Sequence, residues 1–336
     1  HNMGPRVAGG TLVEGLNRGY KFGFVGSTDT AGLHPGVYGN GLMAVLAEEL
    51  TRESLWKAFS QRRVYAVTGD RIQVHFNCGD NPMGSIVTYK SGEPVVFDFS
   101  ITGCDEIARV ELVKNGRVVD EVTYVDRWHF PQQGQDTRWK IRIFTGWGPI
   151  KRKGMYEEYT TWKCEFRGPK VLSVEGCFRN PGSRIEKIEG NHCVWKTDMR
   201  FRGGEGGAQG DNTESVIIEC RAKPEDDCVL TANNLVVKYK LSELSSGPKL
   251  CLDLKSSRTF IEKTFKVNMD KFDNHDVLFH NAEKMLVSRI LPAEAWEISG
   301  RFTDERPGPG RDYYYIRVIQ TNGQVAWSSP IWTQGR

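Results

Sequence analysis

Residues whose types could do chemistry are concentrated between positions 22 and 71 of this 336-residue chain. Asp29 follows a short apolar run at 21–26 and precedes a glycine-rich loop at 32–41. A carboxylate at the end of a strand is a natural ligand for a divalent metal ion, and glycines let a loop fold tightly around such an ion. The structural alternative is an Asx or Ser/Thr turn at 27–29. The spacing alone leaves both interpretations open.

Three arginines in the same stretch could contact an anion. Arg62 and Arg63 end a predicted helix, where positive charge stabilises the negative end of the helix dipole. That is a sufficient structural reason for both side chains. Together with Arg71, they are also the candidate contacts for a phosphate or for another part of a substrate.

Other metal ligands would have to come from histidines on predicted strands and loops, which are His75, His129, His192, His275 and His280. Scattered histidines of this kind are typical of surface positions or of satisfied core positions. His275 and His280 lie five residues apart with Asp273 and Asp276 beside them. This local cluster is a weak indication of a metal site.

The elements that would position Asp29 resemble one unit of an α/β barrel. A capping box predicts a helix at 11–18, and the apolar run at 21–26 predicts a short buried strand. The order is a helix, a strand, an acidic residue and a glycine-rich loop. In an α/β barrel, this order places the reactive side chains at the carboxyl end of the strand. Residues 42–49 favour a helix, and a well-capped helix is predicted at 51–63.

From residue 71 onward the hydrophobic pattern changes to a period of two. Asn115-Gly116, between two alternating runs, is the strongest short hairpin signal in the chain. Strands are predicted at 72–76, 95–101, 107–113, 118–122, 139–144, 159–166, 171–174, 185–188, 193–201, 216–221, 235–241, 260–269, 297–302, 313–320 and 325–332. No amphipathic helix longer than two turns is predicted after residue 58. We therefore predict a mainly β fold, with immunoglobulin-like β-sandwich domains preceded by a short α/β segment.

Length and composition limit the class of protein. The chain is long enough for about two domains, and its pattern divides into 1–70, 71–145 and 146–336, the last being either separate from or continuous with the strands before it. A formal charge of +3 with evenly spread basic residues argues against nucleic acid. No run of 18 apolar residues exists, which argues against a membrane span.

The eight cysteines show no C-x-x-C spacing, which argues against a structural zinc site. We predict buried, reduced thiols. A disulfide within 164–193 is the alternative. Reduced thiols favour the cytoplasm, and the sequence otherwise leaves the compartment open.

Several short motifs taken together resemble one protein family. The motifs are GSTD at 26–29, PG at 35–36, LTRE at 50–53, RRVYAVTGDRI at 62–72, PMGS at 82–85, YIRVIQ at 315–320, NG at 322–323 and AWSSPIW at 326–332. The combined set resembles the C-terminal part of a group of large, little-characterised PHP-like (polymerase and histidinol phosphatase) metal-dependent phosphoesterases. The motifs bracket the chain, while the middle, at about 146–310, matches few of them.

The resemblance implies a (β/α) barrel that holds a cluster of divalent metal ions (Mn, Zn or Fe), followed by a β-rich domain. Ligands in that family include an early H-x-H and a late D-x-H. Asp29 matches the late aspartate, but its partner position is Ala31, and His34 is the candidate substitute. The early motif has no counterpart. Because a hydrolytic metal centre needs three or more ligands, this chain is expected to lack most of the site.

Three functions remain open. We prefer a non-catalytic, C-terminal β-rich portion of a PHP-like phosphoesterase, which packs on or completes the hydrolase barrel and exposes an apolar surface there. Its partners would be the missing N-terminal barrel segment or a second copy of itself. The second function is an active metal-dependent phosphoester hydrolase completed by another chain. The third is a carbohydrate-binding β-sandwich, in which some of the nine tryptophans stack on sugars.

Overall fold

The computed structural model of the protein describes residues 9–28, 36–90, 92–147, 159–200, 213–271, 279, 282–308 and 310–335. The chain divides into two compact units, of which unit 1 comprises residues 1–129 and 294–336 and unit 2 comprises 130–293. The described strands of each unit form two sheets that share an apolar core. The mainly β prediction is confirmed. The sequence-based division at 70 and 145 stays a prediction about domains, and the compact units have different bounds.

The helices are short and few in the described residues: α1 (Leu12–Asn17), α2 (Arg52–Ser60), α3 (Leu254–Phe265) and α4 (Ala293–Trp296), with 3₁₀ turns at Leu241–Leu244 and Met269–Lys271. The strands are β1 (Leu42–Val45), β2 (Val64–Val67), β3 (Gln73–Cys78), β4 (Asn81–Pro82), β5 (Ile86–Tyr89), β6 (Val95–Thr102), β7 (Ile107–Lys114), β8 (Arg117–Thr123), β9 (Thr137–Gly146), β10 (Tyr159–Arg167), β11 (Lys170–Cys177), β12 (Arg184–Glu189), β13 (His192–Arg200), β14 (Thr213–Ala222), β15 (Asp227–Ala232), β16 (Leu235–Lys240), β17 (Lys249–Cys251), β18 (Lys284–Val287), β19 (Leu291–Pro292), β20 (Glu297–Asp304), β21 (Arg311–Gln320), β22 (Val325–Ser328) and β23 (Ile331–Gly335). No helix in these described ranges is long and apolar enough to cross a membrane.

Unit 1 brings the two ends of the chain into one sheet. Its first sheet has the order β1-β2-β22-β21-β23-β5, with β7 paired to β21 and β8 to β7, and its second has the order β20-β6-β3-β4. Alternate residues of β6, such as Phe97 and Phe99, are buried against the other sheet, where Tyr314 and Ile316 of β21 point into the same core. The closing strands therefore complete the sheet that the first strands begin.

The helix at the start of unit 1 was predicted correctly. Thr11 caps α1, and its hydroxyl accepts a hydrogen bond from the amide of Glu14. The prediction of a strand at 21–26 is wrong, because residues 20–28 form neither helix nor strand. Phe24 instead covers the first sheet and packs edge-on against Tyr315 at 5.1 Å between ring centroids.

The segment at 42–60 combines a wrong and a right prediction. Residues 42–49 were expected to be helical, but β1 pairs with β2 in register Leu42↔Val67 to Val45↔Val64. Hydrogen bonding to the backbone of β2 outweighed the weak helical preference of these apolar residues. The next helix was predicted correctly: Thr51 caps α2 by accepting a hydrogen bond from the amide of Ser54.

Unit 2 is built from the sheets β12-β13-β10-β15-β16 and β11-β14-β9-β18-β17, with β19 paired to β9. Its core contains Trp139, Trp162 and Trp195, all fully buried. All eight cysteines of the chain are free and buried, which confirms the thiol prediction, and burial raises the pKa of Cys193 and Cys228 to about 12. These thiols are packing residues.

One helix of unit 2 was predicted as a strand. Residues 260–269 were assigned to β structure and no long helix was expected there, yet α3 covers Leu254–Phe265. Asp253 caps α3 by accepting hydrogen bonds from the amide and hydroxyl of Ser256, and Ile261 is its buried apolar anchor. The cap and the buried face outweigh the β-branched residues that suggested a strand.

Candidate functional site

Asp70 is a fully buried carboxylate that lies just beyond the end of β2. Its Oδ1 accepts a hydrogen bond of 2.7 Å from the hydroxyl of Tyr38. Its Oδ2 accepts bonds of 2.8 Å from the side-chain amides of Gln320 and Asn322. Burying a charged group without hydrogen-bond partners costs free energy. The carboxylate of Asp70 accepts hydrogen bonds from neutral donors in two distant parts of the chain.

The hairpin turn between β21 and β22 positions the side-chain amides of Gln320 and Asn322. Gly323 has φ +82°, a conformation that favours glycine, and its amide donates to the carbonyl of Gln320 at 3.0 Å. The side-chain oxygen of Gln324 then accepts from the hydroxyl of Thr68 at 2.6 Å. The side-chain oxygen of Gln320 accepts from the amide of Cys104 at 2.8 Å. The turn therefore joins β2 to the loop before β7.

A cavity of about 350 Å³ opens where β1 and β2 meet the residues after Asp70. It is lined by Gly36, Leu42, Met43, Ala44, Tyr65, Val67, Arg71, Ile72 and Gln73. The hydroxyl of Tyr65 donates to the carbonyl of Ile72 at 3.0 Å and accepts from the amide of Val74 at 3.2 Å. Burial raises the pKa of Tyr65, so it lines the cavity as a neutral ring. Arg71 is exposed at the cavity and is the charged residue among the described residues that line it.

The predicted metal ligands Asp29 and His34 lie outside the described residues. Residues 36–39, which directly follow them in the chain, pack beside the Asp70 cluster: a Cβ on Gly69 would lie 3.4 Å from Cα of Gly39. The loop proposed to carry a metal site therefore ends next to Asp70. Asp29 and His34 remain predictions.

The three predicted anion contacts do not form one group. Arg62 has a structural position, because its Nε donates to the carbonyl of Gly84 at 3.0 Å and its guanidinium lies 5.5 Å from the ring centroid of Trp332. Arg63 is half-buried beside it at the start of β2. Arg71 lies beyond the other end of this four-residue strand, about 13 Å further along. Arg71 is thus the cavity residue of the three.

Metal-ligating side chains do not cluster in the described part of the chain, which contains no group of three or more that could hold an ion. His75 and His129 are exposed, and Nε2 of His192 lies 3.5 Å from a carboxylate oxygen of Glu165. His275 and His280 fall outside the described ranges. The described residues by themselves do not fit a hydrolytic metal centre of three ligands.

An apolar face of α2 and of the residues before it points to solvent. Trp56 is 71% exposed and Leu50 92% exposed, with Met43 and Phe59 also exposed. Lys57 of this helix forms a surface ion pair at 3.0 Å with Glu48, which precedes the helix. Only Ala58 of α2 is buried. The helix thus presents most of its large apolar side chains outward.

The tryptophans give little support for a sugar-stacking surface. All nine lie in the described part of the chain, and among them Trp56 alone is exposed. Trp139, Trp162, Trp195 and Trp296 are fully buried. Sugar binding across one sheet would use two or three exposed, coplanar rings.

Sequence reasoning missed Tyr38, and it named Asp70, Gln320 and Asn322 only within motifs. The single signal was that Asp70 and Asn322 both belong to family-like motifs at opposite ends of the chain. No spacing rule connects residues 252 positions apart.

A comparison with known protein families finds a match in the stretch that contains Asp70 and Arg71. Residues 35–91 match a family described as "Protein of unknown function (DUF3604)". The chain is 38% identical over 122 residues to an uncharacterised protein of Chlamydia pneumoniae, which is 33% of this chain and 20% of the relative. It is 35% identical over 119 residues to an uncharacterised protein of Chlamydia muridarum, covering 32% of this chain and 19% of the relative.

The chain thus spans about a fifth of the length of these curated relatives. Among solved structures, the pilus backbone protein RrgB of Streptococcus pneumoniae aligns over 79% of this chain and 58% of its own, with 8% identity and a TM-score of 0.10. A likeness of that size carries no argument about the fold.

Proposed function

We propose that this chain is the non-catalytic, β-rich accessory portion of a PHP-like metal-dependent phosphoesterase, with immunoglobulin-like sandwiches, and that it docks on the hydrolase barrel through α2. The observation that carries the proposal is the outward apolar face of Leu50 and Trp56. Large exposed apolar patches are typical of protein interaction surfaces. This one lies inside residues 35–91, the stretch with family similarity.

Burial of apolar surface at this face would favour docking. Covering the indole of Trp56 would remove on the order of 150 Å² of apolar surface from water, which is about 4 kcal/mol. Trp56 also brings a rigid ring at low entropic cost, as interface anchors do. Lys57 and Glu48 beside it provide a polar rim.

The number of metal ligands determines which part of the protein would hold the metal ion. The resemblance assigns Asp29 to the late ligand motif and leaves the remaining ligands to the barrel. The metal ion (Mn, Zn or Fe) would supply an activated water to the barrel site. The contribution of this chain would be to close the barrel beside the loop that carries Asp29 and to shape access for substrate.

Hydrogen exchange of α2 tests the docking. We expect the α2 amides to be more protected in the full-length gene product than in the 336-residue chain, and Trp56→Ala to remove the difference. Leu172→Ala is the matched control, because Leu172 is an exposed apolar side chain of unit 2. Equal α2 exchange in both proteins would overturn the proposal.

Metal content tests the non-catalytic part of the proposal. We expect elemental mass spectrometry of the 336-residue chain, purified without chelator, to find well under one metal ion per chain, and a screen with aryl phosphate esters to find no hydrolysis. Near-stoichiometric metal with hydrolysis that is lost in Asp29→Ala would instead support an active metallohydrolase.

A further inference from the structure

We infer that a cavity of unit 2, lined by Trp162 and Glu283, is a binding site for a small methylated ammonium ion that carries a hydroxyl group. The ammonium end lies at the carboxylate of Glu283, and the hydroxyl oxygen accepts a hydrogen bond from the indole N–H of Trp162. The described residues that line the cavity all belong to unit 2. The site is therefore independent of the proposed docking through α2.

The cavity has a volume of about 260 Å³. It is lined on one side by Trp162 of β10 and by the turn between β15 and β16, and on the other by the first part of α3. Pockets for drug-sized ligands occupy roughly 300–1,000 Å³. A cavity below that range suits a smaller molecule.

Both sides of the cavity are held by their own hydrogen bonds. Asn233, at the turn, has φ +52°; its Oδ1 accepts from the amide of Lys163 at 2.9 Å and its Nδ2 donates to the carbonyl of Thr161 at 3.3 Å. On α3, Asp253 accepts from the amide and the hydroxyl of Ser256 at 3.0 and 2.6 Å. A preformed wall requires little further ordering when a ligand binds.

Trp162 supplies a hydrogen-bond donor whose acceptor is missing. The residue is 2% exposed, and its Nε1 has no hydrogen-bond acceptor in the part of the chain that the structure describes. Trp139 of the same core shows the usual arrangement, because its Nε1 donates to the carbonyl of Ala222 at 2.9 Å. A buried donor without an acceptor is unfavourable. A hydroxyl oxygen in the adjoining cavity would remove that cost.

The charged residues of the cavity favour a cation. Asp253 and Glu283 are the charged residues among the described residues that line it, and both are acidic. Asp253 is engaged in the cap of α3, whereas the carboxylate of Glu283 forms no hydrogen bond or ion pair within the described ranges. Partial desolvation raises the pKa of Glu283, and a cation beside it would lower that pKa again.

The rest of the lining favours a methylated ammonium over a bare one. Trp162 and Phe260 contribute aromatic rings, and Ala232 and Leu235 contribute aliphatic surface. Aromatic rings attract quaternary ammonium ions through their electron-rich faces. A bare ammonium is strongly hydrated and brings three N–H donors that need acceptors. Methyl groups remove those donors and fit the apolar part of the wall.

NMR titration of the ¹⁵N-labelled 336-residue chain tests the site with three probes of the same shape. The probes are choline, n-propyltrimethylammonium, which lacks the hydroxyl, and 3,3-dimethyl-1-butanol, which lacks the charge. We expect choline to bind at least about threefold more tightly than n-propyltrimethylammonium and at least about tenfold more tightly than the alcohol. Choline should also move the indole proton signal of Trp162 downfield, because a new hydrogen bond deshields that proton.

Trp195 is the internal control for that signal. Its Nε1 is also buried without an acceptor in the described ranges, but Trp195 is not among the described residues that line the cavity. Its indole signal should therefore move little. Trp162→Phe and Trp195→Phe assign the two signals, and through-bond NMR assignment replaces either variant that fails to fold.

Glu283→Gln tests the charge. We expect it to weaken choline about fivefold and to leave the neutral alcohol unchanged. Glu186→Gln, which removes an exposed carboxylate of β12 outside the cavity lining, should leave the affinity for both probes as it is. Equal affinity for choline and the alcohol, an unchanged choline affinity in Glu283→Gln, or no saturable shift of the Trp162 signal would overturn the inference.

Discussion

The side-chain amide of Gln320 donates a hydrogen bond of 2.8 Å to Oδ2 of Asp70 across 250 positions of the sequence. This contact, with those of Tyr38 and Asn322, ties the family-like stretch to the closing hairpin. The carboxylate has all three of these side-chain donors only when both parts of unit 1 are in place. The stability of the candidate site is therefore linked to the last strands of the chain.

Asp70→Asn is expected to destabilise unit 1 by about 1–3 kcal/mol. The asparagine amide keeps the shape, but its neutral oxygen accepts more weakly than a carboxylate, and the hydroxyl of Tyr38 must turn to accept from the new NH₂ group. The urea midpoint of unit 1 measures the loss. Asp80→Asn is the control, because Asp80 is exposed and its replacement should change stability by less than about 0.5 kcal/mol. Equal effects of the two substitutions would contradict the role of the cluster.

Gly84→Ala is expected to cost about 3 kcal/mol or more. Gly84 has φ +89°, and a Cβ there would meet the carbonyl oxygens of Gln61 and Arg62, the second at 2.6 Å. Gly92 has φ +88° with nothing within 4 Å of its Cβ position, so Gly92→Ala isolates the backbone cost of about 1–2 kcal/mol. Calorimetric unfolding compares the pair, and a similar loss in both would refute the close approach at Gly84.

Glu214→Gln is expected to flatten the pH dependence of unit 2. Burial raises the pKa of Glu214 to about 7, against the bonds that its Oε1 accepts from the amides of Arg179 and Asn180. The folded state therefore holds this proton more tightly than the unfolded state, whose pKa is near 4.5. The contribution to stability is full below about pH 4.5 and is lost as pH rises to about 7, with a slope of up to about 1.4 kcal/mol per unit.

Urea unfolding between pH 4.5 and 8 measures that slope. Glu186→Gln, at an exposed position of the same unit, should leave the slope in place. A slope that survives in Glu214→Gln would assign the effect to another group.

Lys114→Met is expected to destabilise unit 1 by about 3–5 kcal/mol, because it leaves two largely buried carboxylates without their cation. Nζ of Lys114 lies 2.6 Å from Oδ2 of Asp304 and 3.2 Å from Oδ2 of Asp312. Burial opposes ionisation of the lysine, but these carboxylates outweigh it and raise its pKa. Thermal unfolding should find Lys90→Met, in an exposed ion pair with Glu93, nearly neutral.

Local signals predicted the elements that depend on local bonds. The caps of Thr11 and Thr51 marked α1 and α2, and Asn115-Gly116 marked the turn between β7 and β8, where both residues have positive φ. The period of two identified most of the β structure. α3 was missed because its cap at Asp253 was not weighed against the β-branched residues that follow.

The candidate site could be predicted only in part. The sequence named the stretch and Arg71 within it, since both have recognisable types and motifs. It could not name Gln320 or Asn322 as partners of Asp70, because strand order decides which loops meet. β22 pairs with β2, which comes from the other end of the chain. The local hydrophobic period of either strand does not reveal this pairing.

The insertion of unit 2 between the two parts of unit 1 has a consequence during synthesis. The strands from β1 to β8 leave the ribosome before their central partner β21 exists, and roughly 190 residues are translated in between, a delay of about 9–40 s at ordinary elongation rates. Unit 2 is continuous and can form in that interval. Until then, the backbone edge of β7 that pairs with β21 has no partner in the nascent chain.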